Sequence, residues 1–271
     1  MTTTESTVQL PIQIDSFEHY KQVYAESVAD PEKFWSEQAQ TFQWHKPWDK
    51  TLEWNFDGPD VKWFQGGKLN ITENCLDRHV ANRGNQTAIL FEPNDPNGEV
   101  VKLSYSQLLA EVSQTANALK KLGIGKGDRV CFYMPMVPEL AVSVLACARI
   151  GAIHSVVFAG FSAQALADRV NDADCKMIIC SDYNQRGSKN IAVKQVVDDA
   201  IALGCPTVDT VLVHRNTGEE ITWNDKLDVW YHEAREGQST VCPAEPMDAE
   251  DVLFILYTSG STGKPKGVVH T

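Results

Sequence analysis

The chain has 271 residues, with 24 Lys and Arg against 36 Asp and Glu and a formal charge of −12. Its 43% hydrophobic and 22% charged composition excludes a disordered protein, and a chain this long buries roughly three quarters of its unfolded surface without help from disulfides or metals. So acidic a chain is unsuited to nucleic acid or an anionic bilayer, where Lys and Arg must neutralise phosphates. An anionic ligand has to be met by a few basic groups placed locally.

Residues 1–15 read as a polar tail with neither the basic nor the apolar region of a signal peptide. The stretch 16–84 is a leader rich in aromatics, holding five of the seven tryptophans: Trp35, Trp44, Trp48, Trp54 and Trp63. Asp30-Pro31 predicts a helix start, with Phe34, Trp35 and Gln38 on its inner face. The remaining Trp-rich part shows little periodicity and reads as an irregular strap whose rings supply burial. Asn74, with Asp77 three residues on, predicts a second helix start. Asp77 and His79 suggest an acid–base pair, but side chains two apart on a helix do not face each other, so both are taken as structural.

Ser104 and Gln107 form a capping box. Leu108, Leu109, Val112, Ala116 and Leu119 then make one apolar stripe that ends at Gly123. A buried strand follows at Val130–Met134, then a helix from Pro138 to Gly151 and a strand at Ile153–Phe158. The apolar run 141–161 is long enough to span a bilayer, but Arg149, Gly151 and His154 interrupt it, which favours a buried helix and strand. Ser162 caps a helix through about Val170. Met177–Cys180 is a strand, Asn190–Leu203 a helix, Val208–Val213 a strand, Asn224–Glu236 a helix and Val252–Tyr257 a final strand. Short, continuously apolar strands alternating with helices indicate an α/β fold, with a mostly parallel sheet covered by helices on both faces. Cys75, Cys131, Cys147, Cys175, Cys180, Cys205 and Cys242 are odd in number and lack metal-ligand spacing. Reduced structural thiols in a cytoplasmic protein are expected.

The last strand runs into Thr258-Ser259-Gly260-Ser261-Thr262-Gly263-Lys264-Pro265-Lys266-Gly267. Glycines let the backbone approach a ligand, successive amides form an anion nest, hydroxyls donate, and two lysines bring charge. The end of a buried parallel strand is where open α/β sheets bind ligands. A flexible linker shares this composition, but neither the preceding strand nor the lysines suit one. The spacing is not that of a Walker A loop, because only two residues separate Gly260 from Gly263 and Lys264 is followed by proline.

These ten residues resemble the phosphate-loop motif of the adenylate-forming enzymes, which include acyl-CoA synthetases, peptide-synthetase adenylation domains and luciferases. Gly67-Lys68-Leu69-Asn70, Asn74 to His79, Gly125 to Val130, Met134 to Glu139 and Ala148 to Ser162 extend the resemblance, from about residue 16 onward, to the AMP-forming acetyl-CoA synthetases. The resemblance implies a two-step reaction: acetate and ATP give an acetyl-adenylate and diphosphate, and the thiol of coenzyme A then displaces AMP. It implies that Thr258, Ser259, Gly260, Ser261, Thr262, Gly263, Lys264, Lys266 and Gly267 hold ATP phosphates, with Mg2+ sharing their charge. It also implies that Ala159, Gly160, Arg186, Gly187, Ser188 and Lys189 contact the nucleotide end of coenzyme A, whose 3′-phosphate suits converging Arg and Lys groups. Lys189 stands where arginine is common in that family, keeping charge but losing bidentate contact. Residues 85–271 would be the first part of the adenylation domain, with the adenine, ribose and acyl pockets and the catalytic lysine beyond Thr271. No catalytic residue or metal ligand is therefore assigned, and the fragment alone is expected to be inactive. The implied partners are small molecules, with no nucleic acid and no membrane. A synthetase for propionate or another short acyl group, or a non-catalytic module binding coenzyme A or nucleotide, would share the same residues.

Overall fold

The computed structural model describes residues 13–187, 189–258 and 265–271. Most of the predicted polar tail, Ser188 and the stretch from Ser259 to Lys264 lie outside the described residues. The chain divides into two compact units, one running to Leu69 and including Asp248–Glu250, the other Asn70–Met247 with Asp251–Thr271.

In the first unit, α1 (Phe17–Ala29) and α2 (Pro31–Ala39) are both capped from the sequence side. Ser16 accepts from the His19 amide at 3.1 Å and Asp30 from the Lys33 amide at 3.0 Å. Phe34 and Ala39 form the buried side of α2, whereas Trp35, expected inside, is 42% exposed. The leader is also less irregular than its sequence suggests. Strands β1 (Lys50–Asn55) and β2 (Asp60–Gln65) pair antiparallel, and the short β3 (Lys68–Leu69) follows. Trp48 lies 4.9 Å from Trp44 and 5.2 Å from Phe64, ring centre to ring centre. The indole N–H groups of Trp44 and Trp48 donate to Ala39 O and Thr51 Oγ1, so the rings are partly buried without stranding their polar atoms.

The second unit opens with a helical turn that Asn70, not Asn74, initiates. The Asn70 Oδ1 accepts from the Thr72 amide at 2.9 Å and the Thr72 hydroxyl at 2.7 Å. A π-helical stretch at Glu73–Asp77 leads into α3 (Arg78–Arg83), leaving Asn74 buried inside the helix. Strands β4 (Thr87–Phe91) and β5 (Val101–Ser104) pair antiparallel across the loop 92–100. The capping box at Ser104 and Gln107 then starts α4 (Tyr105–Lys121) as read from the sequence.

Next come β6 (Arg129–Tyr133), α5 (Pro138–Arg149), β7 (Ile153–Val156), α6 (Ala163–Asp172) and β8 (Met177–Ser181). A second hairpin, β9 (Asn184–Arg186) with β10 (Lys189–Ile191), precedes α7 (Val193–Ala202). Asn190 thus belongs to a strand rather than to the start of that helix. After β11 (Thr210–His214), the predicted helix over Asn224–Glu236 is instead an edge strand, β12 (Asp228–Trp230), followed by the short α8 (Tyr231–Arg235). The cause is local: the Asp228 carboxylate turns back to the Asn224 amide at 2.7 Å and to Lys194 Nζ at 2.9 Å, and Val229 and Trp230 pair along β11. The chain then passes through β13 (Met247–Asp248) to β14 (Phe254–Thr258) and β15 (Lys266–His270).

Seven strands form one sheet in the order β12-β11-β8-β6-β7-β14-β15, parallel except for the last pair. Strand pleating splits the apolar runs between two cores. Val130 and Phe132 pack with α4 and α5, while Cys131 and Tyr133 pack with α6 and α7. Helices therefore cover both faces, as the sequence implies. All seven cysteines are free, and burial pushes the Cys147 and Cys180 thiols well above their usual range. The run 141–161 is divided between α5 and β7, and no helix among the described residues is long and apolar enough to cross a membrane.

Candidate functional site

In an open, mostly parallel sheet, ligands bind at the rim beyond the C-terminal ends of the parallel strands. Strand β14 delivers Tyr257 and Thr258 to that rim. Thr258 is the register partner of Lys266, and Tyr257 of Gly267. Lys266 and Gly267, expected within a loop, therefore stand in strand β15, which returns antiparallel beside β14. Ser259, Gly260, Ser261, Thr262, Gly263 and Lys264 lie outside the described residues.

The stem below Thr258 is braced by Tyr257. Its hydroxyl donates to Asp172 Oδ2 at 2.7 Å, and burial, then the Asp172 carboxylate, push its pKa well above the ordinary range. The Arg169 guanidinium lies 5.4 Å from the Tyr257 ring centre and 4.8 Å from that of Phe161, tying the end of β14 to the loop after β7. Tyr133 fixes that loop from below by donating to Phe161 O at 2.6 Å.

The second group of residues converges from two elements. Strand β7 ends at Val156, two residues earlier than its sequence suggests, which releases Phe158 into a loop where it is 59% exposed. Ala159 beside it is buried and Gly160 is exposed. The guanidinium of Arg186, on β9, lies 5.9 Å from the Phe158 ring centre. Arg186 and Lys189 are direct antiparallel partners rather than successive residues of a loop, so both cations rise from one hairpin. Gly187 between them takes φ +59°, a conformation that disfavours residues with a Cβ. Ser188 lies outside the described residues. Gly160 and Arg186 thus approach one exposed aromatic ring, with Ala159 next to Gly160 and Lys189 opposite Arg186 in the hairpin.

Three residues at this rim escaped the sequence reading. Phe158 could be noticed only as an apolar residue at a strand end. Asp182 follows an apolar strand and is completely buried, and Asn94 sits in a loop of Pro, Asn, Asp and Gly far away in sequence. Asp77 and His79 do not form an acid–base pair: Asp77 holds Arg149 at 2.9 and 3.0 Å, and His79 packs on Tyr105. Among the described residues no three His, Cys, Asp or Glu side chains gather at one point that would hold a metal ion.

Residues 76–271 match the AMP-binding enzyme family, and residues 20–75 match the acetyl-coenzyme A synthetase N-terminus. The acetyl-coenzyme A synthetase of Halorhodospira halophila is 54% identical over 257 residues, which is 94% of this chain and 40% of that protein. Acetyl-coenzyme A synthetase 2 of Pseudomonas putida is 53% identical over 254 residues, 94% of this chain and 39% of that protein. In three dimensions the chain superposes on an acetoacetyl-CoA synthetase from Streptomyces lividans with a TM-score of 0.84 at 25% identity, over 92% of this chain and 38% of the other. The chain therefore spans about 40% of the length of the curated relatives it matches. Matched over most of its length, the chain belongs to the AMP-binding enzyme family, and within it resembles the N-terminal part of acetyl-coenzyme A synthetases.

Proposed function

We propose that this chain supplies the ATP-phosphate and coenzyme A nucleotide sites of an AMP-forming acetate–CoA ligase. In the first half-reaction an acetate oxygen attacks the α-phosphorus of ATP, and the bond to diphosphate breaks. In the second, the coenzyme A sulfur attacks the acetyl carbon, the bond to AMP breaks, and the thiol loses its proton. Both steps move negative charge, so donors fixed in advance lower the barrier most.

In this reading the loop from Thr258 to Gly267 holds the β- and γ-phosphates through backbone amides, hydroxyls and the ammonium groups of Lys264 and Lys266. Mg2+ enters with the nucleotide and shares the phosphate charge. The hairpin carrying Arg186 and Lys189, with Ala159 and Gly160, takes the 3′-phosphate and adenine of coenzyme A. The exposed Phe158 ring offers a face for the base. Residues 16–84 then form the leader and 85–271 the first part of the adenylation domain, in a cytoplasmic enzyme acting on small molecules.

The observation that carries the reading is the meeting of Arg186 with Phe158 beside Ala159 and Gly160, because segments far apart in sequence converge where one anionic nucleotide would need them. In the full-length protein, Arg186→Ala should raise the KM for coenzyme A roughly 10- to 100-fold, the range of one lost charge-assisted hydrogen bond or pair. Acetate-dependent exchange of diphosphate into ATP, which needs no coenzyme A, should be unchanged. Equal losses in both half-reactions would refute the assignment.

A further inference from the structure

An isolated two-stranded hairpin is marginal in water, and the hairpin β9–β10 has strands of only three residues. It stands at the rim because other segments hold it. At its base the fully buried Asp182 carboxylate accepts the amides of Tyr183, Asn216, Thr217 and Gly218, at 2.6, 2.9, 3.2 and 2.7 Å. The Asn216 side chain returns a hydrogen bond to Tyr183 O at 2.9 Å. At its tip the hairpin meets Asn94, from the loop joining β4 to β5. The Asn94 Nδ2 donates to Gly187 O at 3.2 Å, and the Gly187 amide donates to Asn94 Oδ1 at 3.4 Å. One side chain thus pairs with the tip as a neighbouring strand would.

The loop that presents Asn94 is itself braced. Pro93 and Pro96 flank it, and Asp95 accepts the Asn97 amide on its side chain and the Gly98 amide on its carbonyl, both at 2.9 Å. Gly187 adjoins Arg186 and precedes Lys189 by two positions. Fixing its peptide fixes the direction of the arginine and the separation of the two cations.

We propose that Asn94 is a positioning residue that clamps the hairpin tip so that Arg186 and Lys189 are preorganised for the 3′-phosphate of coenzyme A. The inference rests on the coenzyme A reading of the hairpin and adds a role for a residue 93 positions away. The chemistry requires asparagine: alanine offers neither bond. Aspartate accepts but cannot donate, and it sets a negative charge beside the phosphate. Preorganisation acts by removing the ordering that binding would otherwise have to impose.

The test is calorimetric titration of the full-length protein and its variants with coenzyme A and with dephospho-coenzyme A, which lacks the 3′-phosphate. Asn94→Ala should weaken coenzyme A about 3- to 10-fold, and Asn94→Asp should weaken it further. Both variants should bind dephospho-coenzyme A as the parent does and melt at the parent temperature, since the side chain is exposed. Combining Asn94→Ala with Arg186→Ala should weaken coenzyme A by less than the product of the two single effects, because the clamp acts in part through the arginine. If Arg186→Ala weakens coenzyme A while Asn94→Ala does not, the clamp is wrong and the coenzyme A site stands. If Arg186→Ala itself has no effect, the coenzyme A reading fails. Equal weakening of both ligands by Asn94→Ala would also overturn the proposal.

Discussion

Asp77→Ala should lower the unfolding free energy of the second unit by about 3–5 kcal/mol, read as the shift in a urea denaturation curve. Arg149 is 5% exposed at the C-terminal end of α5, and its guanidinium meets both oxygens of Asp77 at 2.9 and 3.0 Å. The same group reaches Thr72 Oγ1 at 3.1 Å and donates to Cys242 O. Nearby, Asn70 Nδ2 donates to Ala148 O at 3.0 Å and to Glu245 O at 2.8 Å. The arginine therefore joins the helical turn at Thr72, helix α5 and the segment at Cys242. Removing Asp77 leaves a buried cation with only neutral acceptors, and the loss of that compensation dominates the cost. The exposed pair Lys21–Glu18 is the contrast, since Lys21→Ala should change stability by under about 1 kcal/mol. A loss below 1 kcal/mol for Asp77→Ala as well would show that Arg149 does not depend on its partner.

Acidification should remove about 3 kcal/mol of stability between pH 6.5 and pH 4 through His154 alone. This histidine lies on β7, stacked 5.3 Å from Phe254, and its buried Nδ1 has no hydrogen-bond partner among the described residues. Burial holds its pKa down at about 4. The folded state keeps the ring neutral while the unfolded chain takes up a proton near its ordinary value of 6.5. Stability is therefore complete above pH 6.5 and falls as the unfolded state gains that proton. The window separates it from a carboxylate such as Asp128. Burial works to raise the Asp128 pKa, but Lys176 at 2.6 Å and the Gly125 amide hold it below its usual value, so its contribution is lost only below about pH 4. His154→Phe should lessen the slope of the stability profile between pH 4 and 6.5, leaving the part carried by His79 and His214, whose pKa values burial also lowers. An unchanged slope would show that other groups carry it.

Local chemistry explains what could be read before the structure. The capping box at Ser104, the cap at Ser162 and the Pro138 start of α5 act within a few residues, and each lies where the sequence places it. Continuous apolar runs such as Val130–Tyr133 reveal a parallel strand because both faces are covered. The short hairpins and β12 are polar or only three to five residues long, so their pairing is decided by partners distant in sequence. Asn70 rather than Asn74 starts its helix because its side chain is also needed by the carbonyls of Ala148 and Glu245, which no local pattern reveals. At the rim, Arg186, Lys189, Ala159 and Gly160 enter the proposed site through resemblance alone. The ties through Asp182 and Asn94 were not legible, since they join side chain to backbone across 34 to 93 residues.

The central proposal is that an acidic chain gathers amides and lysine charge at the end of β14 to take a triphosphate. Its most direct test is titration of isotope-labelled protein with Mg2+ and ATP, following the backbone amide resonances. Within residues 1–271 the shifts should centre on Thr258 through Gly267, largest at Gly260 and Gly263, and should saturate with nucleotide. Resonances of that segment that stay in place at saturating ATP would contradict it.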